Sequence, residues 1–185
     1  MTTGDVVSTS PADERRGTIG RREVALALAG FLSLLALIRY GIRGETVVVI
    51  FGIFVLVELS RHDLERRIIP NRIVVPAWLA VLAAHLALHP HHWVEWLTAS
   101  FGAGLFFLVI ALAYPAGLGM GDVKLSLLIG ALLGWAVLPA LFLGTVASGI
   151  VAAAILFREG SEARKRAIPL GPFLAAGTIV VLLFL

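Results

Sequence analysis

The sequence predicts an all-α fold: a polytopic membrane helix bundle of about seven transmembrane helices, within a range of six to eight. Three observations lead there. Hydrophobic residues make up 59% of the 185 positions and charged residues 15%, with a mean hydropathy of +0.95. Soluble domains lie near roughly 45–50% apolar and 25% charged. The apolar residues also fall in long runs rather than alternating with polar ones. Finally, the 15 Lys and Arg residues sit between those runs, which makes the net charge of +3 a topology signal. No nucleic-acid partner is expected. The absence of cysteine excludes disulfides, thiol catalysis and Cys-based zinc sites from this chain, and neither a cofactor nor a metal is expected.

Along the chain, residues 1–22 are polar and read as a flexible cytoplasmic tail. They lack the short apolar stretch and small-residue site of a cleaved signal peptide. Residues 23–185 form the membrane domain, with apolar spans near 24–42, 46–60, 72–88, 93–114, 123–135, 137–157 and 169–185. A spanning helix needs about 20 residues, so 46–60 and 123–135 are short. Each ends at a polar motif that carries an Asp, and the helix is expected to run on into that motif. Gly134 and Pro139 are the break signals between the fifth and sixth spans. Gly130-x-x-x-Gly134 and Gly144-x-x-x-Ser148 read as close-packing spacings. Trp93 and Trp96, flanking Glu95, read as an interfacial anchor.

With a cytoplasmic N-terminus and seven crossings, thirteen of the 15 basic residues lie inside. They include Arg61, Arg66, Arg67, Arg72, Lys124 and the cluster Arg164-Lys165-Arg166, whereas Arg39 and Arg43 lie outside. That asymmetry fits a multi-pass protein of the cell membrane. The same orientation puts Asp63 and Asp122 on one cytoplasmic face.

These two acids are the principal site candidates, because a carboxylate at membrane depth costs a few kcal/mol to keep. Asp63 opens Asp63-Leu64-Glu65-Arg66-Arg67-Ile68-Ile69-Pro70-Asn71, and Asp122 closes Gly119-Met120-Gly121-Asp122. Two neighbouring carboxyls cannot both ionise, so their proton affinities split. One can then take a proton from water while the other donates to a carbonyl oxygen. Gly117, Gly119 and Gly121 allow positive φ and close backbone approach before Asp122. Pro70 stops a helix after Asp63, and Asn71 is placed to cap the next one. Lys124 faces away from Asp122 on a helix and is read as an anchor to headgroups or the loop. Taken singly, each acid has a plainer reading: Asp122 as a helix cap and Asp63 as one more solvated charge. Their shared face favours a joint site.

Glu58, inside an apolar run, needs a partner or water and is a secondary candidate. His62 reads as interfacial. His89, His91 and His92 are a compositional hint of metal binding, although an exposed loop explains them more simply. A small ion- or proton-coupled transporter could use the same three acids, but such sites lie nearer the midplane and often accompany inverted repeats. A non-catalytic scaffold of a secretion machine is a third reading, and one that would tolerate loss of either acid.

The motifs resemble those of the type IV prepilin peptidases, membrane aspartic proteases of the Gly-x-Gly-Asp type. The resemblance rests on Asp63 seven positions before Pro70 within Ile69-Pro70-Asn71, on Gly119 to Asp122 followed by Val123-Lys124, and on Ile168-Pro169-Leu170-Gly171-Pro172-Phe173. It covers roughly residues 50–180. It implies that Asp63 and Asp122 are catalytic. It also implies that the substrate is a prepilin or pseudopilin, a basic leader followed by an apolar helix, cut at the cytoplasmic face. Pilus or secretion assembly machinery and the lipid bilayer are the further implied partners. Many bacterial members carry a Cys-rich cytoplasmic domain associated with N-methylation. This Cys-free chain is similar to the peptidase-only members that serve tight-adherence (Flp) pili or archaeal systems, so methylation is not expected.

Overall fold

The computed structural model describes residues 11–115, 117–159 and 169–185, with backbone alone for 11–19 and 159. The basic cluster Arg164-Lys165-Arg166 and Ile168 lie outside these residues, as do residues 1–10. Among the described residues there are seven α-helices and no strand. They are α1 (Pro11–Tyr40), α2 (Gly44–Arg66), α3 (Asn71–Leu88), α4 (Trp93–Ala113), α5 (Met120–Leu133), α6 (Val137–Glu159) and α7 (Gly171–Phe184). Four helical stretches are long and apolar enough to cross a membrane: Gly20–Tyr40, Asn71–Leu88, Pro90–Ala113 and Met120–Arg158. The last is α5 and α6 with the short 3-10 turn Gly134–Ala136 between them. The protein is an all-α, multi-pass membrane bundle.

Two helices run beyond their apolar spans. Helix α1 begins at Pro11, so residues 11–22, expected in the tail, continue the first span as helix. Proline is well suited to a first helical position. The Glu and Arg that follow are good helix formers that need no apolar face to extend a helix already held in lipid. Helix α2 runs to Arg66 and carries the Asp63 motif within it, as the shortness of the 46–60 run suggested. The break at Gly134 stands where expected, and its φ of +57° is one that glycine adopts at little cost.

Lipid inverts the usual sorting of side chains. Phe31, Ile38, Phe106, Leu112, Phe142 and Phe157 are exposed on the outer surface, where acyl chains are as apolar as they are. Inside, Ile53, Leu56 and Leu59 of α2 pack with Val74 and Val81 of α3, Leu125, Leu128 and Ile129 of α5, and Leu174 of α7. Glycines bring the axes close. A Cβ at Gly130 would lie 2.5 Å from the Ala99 carbonyl oxygen, and one at Gly144 2.7 Å from the Phe173 carbonyl oxygen. The spacings read as packing devices therefore act as such. Several buried polar side chains find partners within the bundle, whereas both ring nitrogens of His85 and Trp96 Nε1 have none among the described residues. Trp78 Nε1 donates to Ser100 Oγ at 2.8 Å, and Ser100 Oγ donates to the Leu127 carbonyl at 2.9 Å, which ties α3, α4 and α5 together.

One end of the bundle is closed by three ties. The Tyr40 hydroxyl donates to the Leu182 carbonyl at 2.5 Å, His89 meets Glu45 at 3.1 Å, and the Trp135 amide reaches Glu95 at 3.5 Å. Helices α1 to α7 thus alternate in direction, and the ends of α2 and α5 that carry the acids fall together at the opposite end. Trp93 is exposed at the tied end, but Trp96 turns inward and stacks on buried His85 with ring centroids 3.9 Å apart. Only Trp93 therefore has the outward placement expected of an anchor.

Gly130→Ala is expected to destabilise the bundle by about 1–3 kcal/mol through overpacking against α4. Gly30→Ala, where the new methyl meets nothing within 4 Å, is expected to be neutral or stabilising by up to about 1 kcal/mol. Thermal unfolding in detergent, followed by circular dichroism, checks both.

Candidate active site

Asp63 lies in the last turn of α2 and is 6% exposed. Helix α2 ends four residues later at Arg67, whose left-handed conformation (φ 53°) turns the chain and sends its amide back to the Asp63 carbonyl at 2.8 Å. The turn carries Ile69 inward, where it is buried. Pro70 then stands at the N-cap of α3 in extended geometry, and its carbonyl accepts from the amides of Ile73 and Val74. Asp63 is thus helical and enclosed, not a charge in an open loop.

Asp122 occupies the third position of α5, with Gly119 at the N-cap. Its Oδ2 accepts from the Gly119 amide at 3.2 Å, and its own amide donates to the Gly119 carbonyl at 3.1 Å. A carboxylate in a first turn satisfies an otherwise unpaired N–H and faces the positive end of the helix dipole. The glycines around it serve close approach rather than unusual φ. Gly119 has φ −83°, and among the described residues only Gly41 and Gly134 are glycines with positive φ. At Gly121 a Cβ would come within 3.0 Å of Ile69 Cβ. The start of α5 therefore presses on the loop that follows Asp63.

Lys124 and Asn71 make a second tie between these elements. Lys124 Nζ donates to Asn71 Oδ1 at 2.7 Å. Asn71 was expected to cap α3. Instead it is the first residue of that helix, one position past the N-cap held by Pro70, and its amide oxygen accepts from the ammonium. The bond from α5 to α3 gives Lys124 the steadying role that its direction away from Asp122 allowed.

Glu58 is not drawn to the two acids. Its carboxylate pairs with Arg61 at 2.5 Å and His62 at 3.2 Å, and Arg61 also reaches Glu65 at 3.0 Å. These pairs form a partly exposed intrahelical array on α2. The histidines at the far end pair with carboxylates, His89 with Glu45 and His92 with Glu95. Among the described residues no group of three or more His, Cys, Asp or Glu side chains is placed to hold a metal. A cavity of about 810 Å³ lies between α1, α2 and α7. Leu64, Glu65 and Pro172 line it, but neither acid does.

Sequence reasoning missed one partner. The Gly171 amide, at the start of α7, donates to Asp63 Oδ2 at 3.1 Å. The Gly171-Pro172 step marks a helix start, but nothing local points to a carboxylate 108 residues away.

Comparison with known proteins adds to this geometry. The profile of the Type IV leader peptidase family matches residues 50–156, which contain both Asp63 and Asp122. The chain belongs to that family. A Bacillus subtilis prepilin leader peptidase/N-methyltransferase is 34% identical over 148 residues, covering 80% of this chain and 59% of the relative. A Pseudomonas putida protein of the same name is 34% identical over 170 residues, covering 86% and 57%. The leader peptidase HopD of Escherichia coli is 35% identical over 126 residues, covering 64% of this chain and 81% of the relative. The chain thus spans less than two thirds of the length of the first two relatives. No solved structure matches it. The transporter reading finds no support in these matches.

Lys124→Met and Asn71→Ala are each expected to cost less than about 1.5 kcal/mol, the scale of a single hydrogen bond. The double variant should cost no more than either alone, because both remove the same contact. Thermal midpoints of the three variants measure the coupling.

Proposed function

We propose that this protein is an aspartic endopeptidase of the cell membrane that removes the basic leader from type IV prepilins or pilin-like precursors. Asp63 and Asp122 are its catalytic pair. One carboxylate takes a proton from a water molecule, and the water oxygen attacks the scissile carbonyl. The other carboxyl, protonated, donates to the carbonyl oxygen as it becomes tetrahedral. Collapse of that intermediate passes a proton to the leaving nitrogen and restores the shared proton. No metal is needed for these steps.

The observation that carries this reading is the close approach of the first turn of α5 to the loop that follows Asp63, in a chain of the leader peptidase family. The Ile69–Gly121 contact and the Lys124–Asn71 bond join the start of α5 to that loop and to the start of α3. The relatives are named prepilin leader peptidases, which supports the substrate class. Arg61, Arg66, Arg67, Arg72 and Lys124 all lie at the acid-bearing end, which supports a cytoplasmic N-terminus and a site at the cytoplasmic face. A precursor with a basic leader and an apolar helix presents its cleavage point at that boundary, and pilus or secretion machinery would receive the product.

Asp63→Asn and Asp122→Asn are each expected to lower cleavage by roughly 10⁴-fold while leaving the protein folded in the membrane. Co-expression with a candidate prepilin, read by the size shift on a gel, is the measurement. Retained cleavage in both single variants overturns the pair.

A further inference from the structure

We propose that the backbone N–H of Gly171 is a positioning group for Asp63, and that position 171 lacks a side chain because the Asp63 carboxylate fills that space. The inference rests on the reading of Asp63 as catalytic and adds a third element, α7, to the site.

The first turn of a helix offers amides with no partner within the helix. In α7 nearly all are accounted for. Pro172 has no N–H, and the amides of Phe173 and Leu174 both donate to the Leu170 carbonyl at 3.1 Å. The Gly171 amide is the donor left at the start of the helix, and it is spent on Asp63 Oδ2. Asp63 is too enclosed for bulk water to replace that donor, so its loss would leave the carboxylate short of a partner.

Sterics make the same demand independently. A Cβ at residue 171 would lie 2.7 Å from Asp63 Oδ2, 3.3 Å from Cγ and 3.5 Å from Cβ. The first of these approaches requires something to shift. Gly171 is not among the described glycines with positive φ, so what requires glycine there is the acid and not the backbone.

The two acids are held alike. Gly119 fixes Asp122 through Oδ2 and Gly171 fixes Asp63 through Oδ2, each by one glycine amide. In both cases Oδ1 makes no hydrogen bond among the described residues and is available to a water or to the other carboxyl. A carboxylate turned by an ångström loses alignment with the reacting atoms, and misplacement on that scale costs about 10²-fold.

The test uses Gly171→Ala, Asp63→Ala and their combination in the full chain. Purified Gly171→Ala should show kcat reduced by roughly 10²-fold with KM within about twofold of wild type. Gly177→Ala, a packing control whose methyl would press on the Ala140 carbonyl at 2.5 Å, should lower the thermal midpoint with kcat of the folded enzyme retained. Thermal midpoints give a readout independent of catalysis. Gly171→Ala should lower the midpoint in the wild-type background and should do so little or not at all when Asp63 is Ala, because the clash and the lost partner both vanish. Should Gly171→Ala fail to fold alone, recovery of folding in the double variant makes the same point. Unchanged kcat in Gly171→Ala, or an equal midpoint drop in both backgrounds, overturns the proposal. A wild-type protein that cleaves no prepilin sinks the proposed function instead, and leaves the midpoint comparison to decide the contact.

Discussion

A carboxylate enclosed in a helix bundle has little water to fall back on, so partners supplied by the chain count for more. Asp63 meets that constraint by taking a backbone amide from a helix that begins 108 residues later. The bond fixes more than one side chain. It sets the level at which α7 starts relative to α2, and Gly171 lets the two backbones close to that distance. Further along, α7 packs against α6 through Gly144 and Gly177, where added methyls would strike backbone atoms. The placement of the last helix thus follows from satisfying one buried acid at its start and removing side chains along its length.

Much of this could be read in the sequence, and what could not has physical causes. Composition and the apolar runs foretold an all-α membrane bundle, because lipid leaves the backbone few alternatives to a helix. The two acids were legible because charge near a membrane is costly enough to stand out. What local reasoning could not supply was the partner of each polar group. Asn71 is a good cap by type, yet Lys124 claims its oxygen from another helix. Glu58 is an acid in an apolar run, yet Arg61 and His62, three and four residues on, satisfy it locally. Gly119 and Gly121 were read for conformational freedom, but Gly121 is constrained by Ile69 across the loop. Long-range contact decides each case, and residue spacing does not encode it.

The lengths of the helices suggest why the acids sit where they do. Helix α5 has 14 residues, about 21 Å at 1.5 Å per residue, against a hydrocarbon core of about 30 Å, while α2 and α6 have 23 each. At the end away from the acids the turn after α5 is tied to Glu95 of α4. The shortfall is therefore taken up at the acid-bearing end, where α5 begins. Asp122 at that level lies nearer the polar boundary, where an ionised carboxylate costs less than at the bilayer centre. On the proposed function, that level is where the apolar helix of a precursor would end and its basic leader begin.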